Sequence, residues 1–126
     1  MYARSVTGVV VAIIVAIVMF VSKSSDKSKD EKNIRYEMKE YIAASPAYKL
    51  DRDYIEVIFP EAHSTAFAEH YRLGGRYRSN RFDQDGYVDE VFGVMIDRAK
   101  AEKRDKVADE LQKLWQSGPP IRLIRK

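Results

Sequence analysis

Apolar residues follow two different patterns along this chain. Between residues 5 and 22 no charged side chain interrupts a run dominated by Val, Ile and Ala. As a helix these 18 residues would span about 27 Å, close to the roughly 30 Å of a bilayer's hydrocarbon core. Beyond residue 32, apolar residues recur at the spacing of amphipathic helices. The pattern predicts an all-α protein, in which one N-terminal transmembrane helix precedes a small soluble helical domain.

The charged segment 23–32 separates these two regions. It contains no apolar side chain and is predicted to be a solvated linker, although Ser28 and Glu31 have the spacing of a capping box from which a helix could start. Gly118 and the two prolines after it end the helical pattern. The predicted divisions are an N-terminal flank 1–4, a transmembrane helix 5–22, a charged linker 23–32, a soluble helical domain 33–118 and an apolar, basic tail 119–126.

The first half of the soluble domain is predicted to hold two or three helices. Apolar residues from Ile34 to Ile42 indicate a helix over 29–44 that ends at Ser45-Pro46. Asp51 is a candidate N-cap for a short helix over 54–59, but this segment is also rich in strand-forming residues, so a strand remains an alternative.

Pro60 is predicted to occupy the first turn of a separate helix that reaches Leu73 and stops at Gly74. His63 and His70 would lie on one face of it, two turns and about 10 Å apart. That separation is too large for one metal ion without other ligands. We therefore expect the two His side chains at the edge of the core or against a partner, and not in a metal or catalytic site.

The second half contains two apolar stripes, at 88–99 and 107–115, that are separated by the charged segment 100–106. Asp83 is predicted to cap the first stripe, because a calcium loop over 81–92 would place Arg81 and Phe92 at ligand positions. A hairpin near Arg104, capped by Asp105, would join two helices. The absence of Gly and Pro instead favours one long helix over 84–116, which gives about four helices with the last one long.

Small residues form a stripe along the predicted transmembrane helix. Gly8, Ala12 and Ala16 recur every four residues and would allow close approach of a second helix, either in a homodimer or from another membrane protein. The alternative is that Gly and Ala are simply common in such helices.

The flanking charges predict the orientation of the span. Arg4 precedes it, whereas five basic residues follow within a short distance, so the positive-inside rule places the domain in the cytoplasm. Cleavage as a secretory signal is disfavoured by Phe20 and Lys23 near the only small residues that could form a cleavage site.

Composition excludes several classes of chemistry. The chain of 126 residues has no Cys, so disulfides, thiol catalysis and Cys-ligated metals are excluded. A net charge of +3 is too small to indicate nucleic-acid binding by itself. We find no phosphate-binding glycine loop, paired-His zinc motif or Ser/His/Asp set, and we predict neither a cofactor nor a small-molecule substrate.

The soluble stretch that most resembles a contact surface runs from residue 71 to residue 82. Arginines alternate there with aromatic residues, and no acidic side chain intervenes. Guanidinium groups bind phosphate or carboxylate, and aromatic faces can stack on bases. The predicted contact residues are Arg72, Arg76, Tyr77, Arg78 and Arg81. The alternative is a structured loop whose arginines pair with the domain's own carboxylates.

These patterns lead to three functional hypotheses. The first is a non-enzymatic single-pass membrane protein that acts as an accessory, adaptor or assembly subunit of a membrane-associated complex. The second is a membrane-tethered polyanion binder that uses the arginine-rich loop 72–81, with anionic lipid or, less favoured, nucleic acid as its ligand. The third is a small helical protein secreted after signal cleavage.

Overall fold

The computed structural model describes residues 26–75 and 77–118, and within them the predicted all-α class is confirmed. The predicted anchor 5–22, its Gly8, Ala12 and Ala16 stripe and the tail 119–126 lie outside the described residues. The elements are α1 (26–43), α2 (Pro46–Leu50), α3 (Arg52–His70), β1 (Tyr71–Arg72), β2 (Arg81–Phe82), α4 (Gln84–Ala101) and α5 (Asp105–Gln116). None of the helices in these two ranges combines the length and the apolar character needed to cross a bilayer.

Helix α1 includes most of the segment predicted as a linker. Residues 26–32 are helical, and because residues 26 and 27 already belong to the helix, Ser28 is not its N-cap. Ile34, Met38 and Ile42 are buried, since side chains four residues apart share one helix face. The helix ends before Ser45, and Pro46 occupies the first turn of α2, where a missing N–H has no consequence.

Helix α3 confirms the helical alternative for 54–59 but corrects the predicted boundary at Pro60. The Asp51 side chain accepts the Tyr54 N–H at 3.3 Å, as an N-cap does. Pro60 lies inside a continuous helix of 19 residues. It is exposed, and Ile58 and Ala62 on either side of it are buried, so uninterrupted burial outweighs the one hydrogen bond that Pro removes.

A short β-hairpin, absent from the prediction, follows α3. The helix ends at His70 instead of continuing to Leu73, and the chain forms β1, which pairs antiparallel with β2. The register places Tyr71 opposite Phe82 and Arg72 opposite Arg81. Asp83 then caps α4 as predicted, with its side chain accepting the Gly86 N–H at 3.1 Å.

The long helix predicted over 84–116 is wrong. The chain turns back between α4 and α5, close to Arg104, as in the alternative of a helical hairpin. Lys103 adopts a left-handed conformation with φ of 61°. Its N–H bonds to the Lys100 carbonyl at 3.1 Å, and the Arg104 N–H bonds to the Ala99 carbonyl at 2.7 Å. These two bonds form a Schellman motif. Arg104 is the N-cap residue of α5, and Asp105 begins the helix.

Burial of α5 explains this turn. The α5 residues Val107, Ala108 and Leu111 are buried, whereas a straight continuation of α4 would carry them away from the small core into water. Trp115 stacks on Phe92 of α4, with ring centroids 6.3 Å apart. Apolar burial therefore stabilises the packing of α5 on α4 enough to keep Lys103 in a conformation that usually favours Gly.

The turn predicts opposite effects for two glycine substitutions at nearby lysines. Lys103→Gly should raise the free energy of unfolding by about 0.5–1 kcal/mol, because relief of a left-handed strain of about 1–2 kcal/mol exceeds the added flexibility of Gly, roughly 0.5–1 kcal/mol. Lys100→Gly, in the last turn of α4, should lower it by about 1 kcal/mol.

The free energy of unfolding of both variants can be measured by urea unfolding of the full-length protein in detergent micelles. Trp115 is the single Trp of the chain and lies in α5, so its fluorescence emission reports whether α5 remains packed on α4. A continuous helix would make both substitutions destabilising, and that result would contradict the Schellman turn.

Candidate functional site

The hairpin formed by β1 and β2 has an aromatic inner face and a cationic outer face. Tyr71 is buried and Phe82 packs against the core. Successive strand residues point to opposite sides, so Arg72 and Arg81 project outward, directly opposite each other and exposed. The structure thereby brings together two of the predicted contact residues that are nine positions apart in sequence.

A closed circuit of five aromatic rings holds the inner face of the hairpin. Neighbouring centroids along it are separated by 4.7 to 6.3 Å, distances at which aromatic rings attract one another. The circuit passes through His63, Phe67, Tyr71, Phe82 and Tyr87. It joins α3, both strands and α4, so the two-residue strands, which would be marginal alone, are fixed to the core.

A relay of hydrogen bonds connects the hairpin to α1. The Tyr71 hydroxyl donates to Asp30 Oδ2 at 2.6 Å, and the Asn80 amide donates to the Tyr71 oxygen at 2.9 Å. Asn80 Oδ1 in turn accepts the Gly74 N–H at 2.8 Å. Burial and, next, the Asp30 carboxylate raise the pKa of Tyr71 to about 12, so it remains a donor at neutral pH.

Gly74 allows the hairpin loop to close on itself. A Cβ at this position would lie 1.9 Å from the Arg78 carbonyl oxygen and 2.5 Å from that of Ser79. Both contacts are with backbone atoms, which cannot rotate away as a side chain can. The close approach therefore requires Gly.

The tip of the loop carries the other described contact residues. Tyr77 is 89% exposed and Leu73 is 41% exposed, and Arg78 is exposed as well. The Arg78 backbone N–H donates to the Gly75 carbonyl at 3.1 Å. Arg76 lies outside the described residues. The tip thus combines aromatic, aliphatic and cationic side chains.

The outer face of the hairpin has an excess of positive charge. Neither Arg72 nor Arg81 forms an ion pair within the described ranges 26–75 and 77–118. Like charges placed directly opposite on paired strands destabilise the pair. A bound anion or an acidic surface would remove this repulsion.

The hairpin lies beside the first described turn of α1. An open cleft of about 300 Å³ separates the loop from α1 and is lined by Asp26, Lys29, Asp30, Ser79 and Asn80. The ammonium of Lys27 lies 5.9 Å from the centroid of the Phe67 ring, which is part of the aromatic circuit. The cationic face therefore belongs to the same end of the domain as residue 26.

His63 is buried at the centre of this arrangement. Its Nδ1 lies 2.6 Å from the Tyr87 hydroxyl, and its Nε2 lies 2.9 Å from Glu31 Oε1. A neutral ring satisfies both contacts if the hydroxyl donates to Nδ1 and Nε2–H donates to the carboxylate. Burial lowers the pKa of His63 although Glu31 raises it, and burial also raises the pKa of Tyr87.

His70 lies apart from His63, as their spacing predicted, and is half-buried at the base of the hairpin. Its Nε2 is 3.3 Å from Glu90 Oε1, and its Nδ1 is 3.4 Å from Asp83 Oδ2. The neighbouring Glu69 carboxyl and burial raise the pKa of Glu90. Glu69, His70 and Glu90 offer ligand atoms within 4.8 Å of one another, so these three could hold a metal ion.

Sequence reasoning missed the acidic residues of α1 that organise the site. Asp30 and Glu31 belong to the predicted linker, and their partners Tyr71 and His63 lie more than 30 positions away. No local spacing signals such a pairing. The capping-box spacing of Glu31 indicated a helix, but not the face that this helix presents to α3.

Comparison of the chain with protein-family models, curated proteins and solved structures finds no match in any of the three.

The His63 contacts predict a pH-dependent stability. The pKa of His63 is lower in the folded protein than the roughly 6.5 of an unfolded His, so the unfolded chain binds the proton more readily. Its contribution to the free energy of unfolding is therefore complete above about pH 6.5 and is lost as the pH falls through the folded-state pKa. His63→Gln should lose this pH dependence.

Urea unfolding of both full-length proteins in detergent micelles, between about pH 7.5 and 5.5, tests this expectation. The difference between the two proteins isolates His63, because the other titratable groups are common to both. Equal changes with pH in the two proteins would show that His63 is not the group responsible.

Proposed function

We propose that this chain is a non-enzymatic, single-pass membrane protein that acts as an accessory, adaptor or assembly subunit of a membrane-associated complex. The observation that carries the proposal is the outward pair Arg72 and Arg81 on a hairpin fixed to the end of the domain that bears residue 26. The uninterrupted apolar run at 5–22 supports the membrane anchor and, with the flanking basic residues, a cytoplasmic domain.

The chain length between the anchor and the domain keeps the hairpin close to the bilayer. Ser22, the last residue of the predicted span, and Asp26 are four residues apart. Even fully extended, four residues reach only about 14 Å. The end of the domain that carries the hairpin is therefore held near the headgroups, where it can contact the membrane-proximal surface of another subunit.

The side chains of the hairpin have the chemistry of a protein contact. Arg and Tyr are enriched among the residues that contribute most to binding at interfaces, and Arg binds carboxylates through two parallel hydrogen bonds. The proposed partner surface is acidic. Gly8, Ala12 and Ala16 would supply a second contact, with a helix of the same complex or with a second copy of this chain.

A photoreactive phenylalanine derivative in place of Tyr77 should crosslink to a discrete membrane protein when the full-length chain is irradiated in native membranes. Tyr36 is also exposed, at 62%, but lies on α1 outside the hairpin, so the same probe there is the matched control. Arg72→Ala combined with Arg81→Ala should reduce the Tyr77 adduct about tenfold or more, because truncation of an important interface Arg costs roughly 2 kcal/mol.

Substitutions in the small-residue stripe test the contact within the membrane independently of the hairpin. Gly8→Ile with Ala12→Ile should reduce recovery of the partner, whereas Val10→Ile, on the opposite side of the helix, should not. The proposal is wrong if position 77 yields no protein adduct and the stripe variants leave the co-purified proteins unchanged.

A second candidate function is the binding of anionic lipid by the same hairpin. It is favoured by one specific observation, the combination of exposed Tyr77 and Leu73 with Arg72 and Arg81 near the membrane-proximal end. Aromatic side chains favour the bilayer interface, and each basic residue near an anionic surface contributes roughly 1 kcal/mol.

Spin labelling can test this function, because the chain has no native Cys and a single introduced Cys is labelled uniquely. A label at Tyr77→Cys should lie closer to the headgroups in nanodiscs containing phosphatidylserine than in discs of phosphatidylcholine alone. The difference should shrink with added salt, which screens the attraction, and should be lost in Arg72→Glu with Arg81→Glu. A label at Tyr36→Cys is the control, and identical depths in the two lipids would exclude this function.

A further inference from the structure

The three side chains of Glu69, His70 and Glu90 form a cluster at the base of the hairpin that neither proposed function uses. Their ligand atoms lie within 4.8 Å of one another. Glu69 and His70 are the last two residues of α3, and Glu90 lies on α4. We propose that this cluster is a site for a divalent transition-metal ion of the Zn²⁺ type, with His70 Nε2 and one oxygen of each Glu as ligands.

One of the three distances between ligand atoms already has the value of tetrahedral coordination. Ligands about 2.0–2.1 Å from Zn²⁺ lie roughly 3.3 Å apart in a tetrahedron. His70 Nε2 and Glu90 Oε1 are separated by 3.3 Å. Glu69 is exposed and can rotate to close the remaining distance. Three protein ligands leave a fourth position for water, and one imidazole with two carboxylates suits Zn²⁺ better than Ca²⁺ or Mg²⁺, which take oxygen ligands.

Asp83 faces the other ring nitrogen of His70, a position that a carboxylate occupies in many zinc sites. Its Oδ2 faces His70 Nδ1 at 3.4 Å, and its backbone N–H bonds to the His70 carbonyl at 2.9 Å. A proton on Nδ1, directed at Asp83, leaves the lone pair of Nε2 available to a metal. This contact comes from outside the ligand set. An ion would displace the proton between Nε2 and Glu90 Oε1, and Asp83 could then accept the remaining proton from Nδ1.

No Lys or Arg of the described residues balances the two carboxylates of the cluster. Within the described parts of the chain, neither Glu69 nor Glu90 pairs with a Lys or Arg. Within the same ranges, the Glu90 Oε2 atom is buried and accepts no hydrogen bond from a neighbouring donor, and the Glu90 carboxyl lies against that of Glu69. A bound cation would satisfy this oxygen.

Gly86 makes room for the imidazole against the first turn of α4. A Cβ at this position would lie 2.6 Å from His70 Nδ1 and 2.3 Å from Asp83 Oδ2. At Gly93, in the same helix, a Cβ would meet nothing within 4 Å. The sequence therefore contains a pair of glycines of which only the first affects the position of His70.

Calorimetric titration of full-length protein without a polyhistidine tag, in detergent micelles, is the test. ZnCl₂ should bind saturably with one ion per chain, and Co²⁺ in its place should give the visible spectrum of tetrahedral coordination. The chain has only two His and no Cys. Because His63 is 2% exposed and already bonded on both sides, a histidine-ligated ion must use His70.

The variants separate ligands from supporting residues. His70→Ala or Glu90→Gln should abolish tetrahedral Co²⁺ binding. Asp83→Asn can still cap α4 but should weaken binding about 10- to 100-fold, as loss of a carboxylate that faces a metal-binding His does. Gly86→Ala should weaken binding by displacing His70, whereas Gly93→Ala and Glu40→Gln should leave it unchanged.

Circular dichroism of each variant establishes that it is folded, and Glu69→Gln, at an exposed position, replaces any variant that is not. The site is refuted if the wild-type protein shows no saturable binding of one Zn²⁺. It is equally refuted if His70→Ala and Glu69→Gln, both folded, bind Zn²⁺ as the wild-type protein does.

Discussion

The structure depends on the burial of one imidazole that must be bonded on both sides. His63 lies on α3 in the core, where an unpaired ring nitrogen would destabilise the fold by roughly 1–3 kcal/mol. Tyr87 of α4 satisfies Nδ1, and Glu31 of α1 satisfies Nε2. Because the three groups come from three helices, their mutual bonding fixes the rotation and the axial position of each helix relative to the others. Glu31 cannot move along α3 by one turn without leaving Nε2 unpaired.

The outward position of the arginines follows from this constraint. Tyr87 belongs to the same circuit of aromatic rings as Tyr71 and Phe82, so a fixed α4 also fixes the inner face of the hairpin. Alternation along each strand then leaves Arg72 and Arg81 no orientation except outward. The repulsion between them is tolerated because the hairpin is stabilised elsewhere, through the rings and through hydrogen bonds to α1. A surface that retains an unfavourable pair of charges in this way has the property expected of a contact for an anionic partner.

The features predicted correctly from sequence are those determined by neighbouring residues. The caps Asp51 and Asp83 and the amphipathic pattern of α1 require only local information, and each is found in the structure. The helical hairpin near Arg104 was one of two alternatives, but local sequence could not favour it, because a non-Gly residue at 103 is held left-handed by burial of α5 against distant parts of the chain. Pro60 led to a wrong boundary for the same reason: it lies on the exposed side of α3, and burial of the opposite face keeps the helix continuous through it. In the site, the arginines were visible in the sequence. The position of Arg72 opposite Arg81 was not, because it depends on a hairpin that is held by aromatic contacts with α3 and α4.

The hairpin and the cluster of Glu69, His70 and Glu90 are joined through the backbone that they share. β1 begins directly after His70, and β2 ends directly before Asp83, so the bond between these two residues closes the base of the hairpin. Positive charge is concentrated on the outer face and tip, and negative charge at the base. A ligand that neutralises either end would reduce the repulsion between like charges on the same hairpin, residues 71–82, so any influence of one site on the other would pass through the hairpin and not through direct contact.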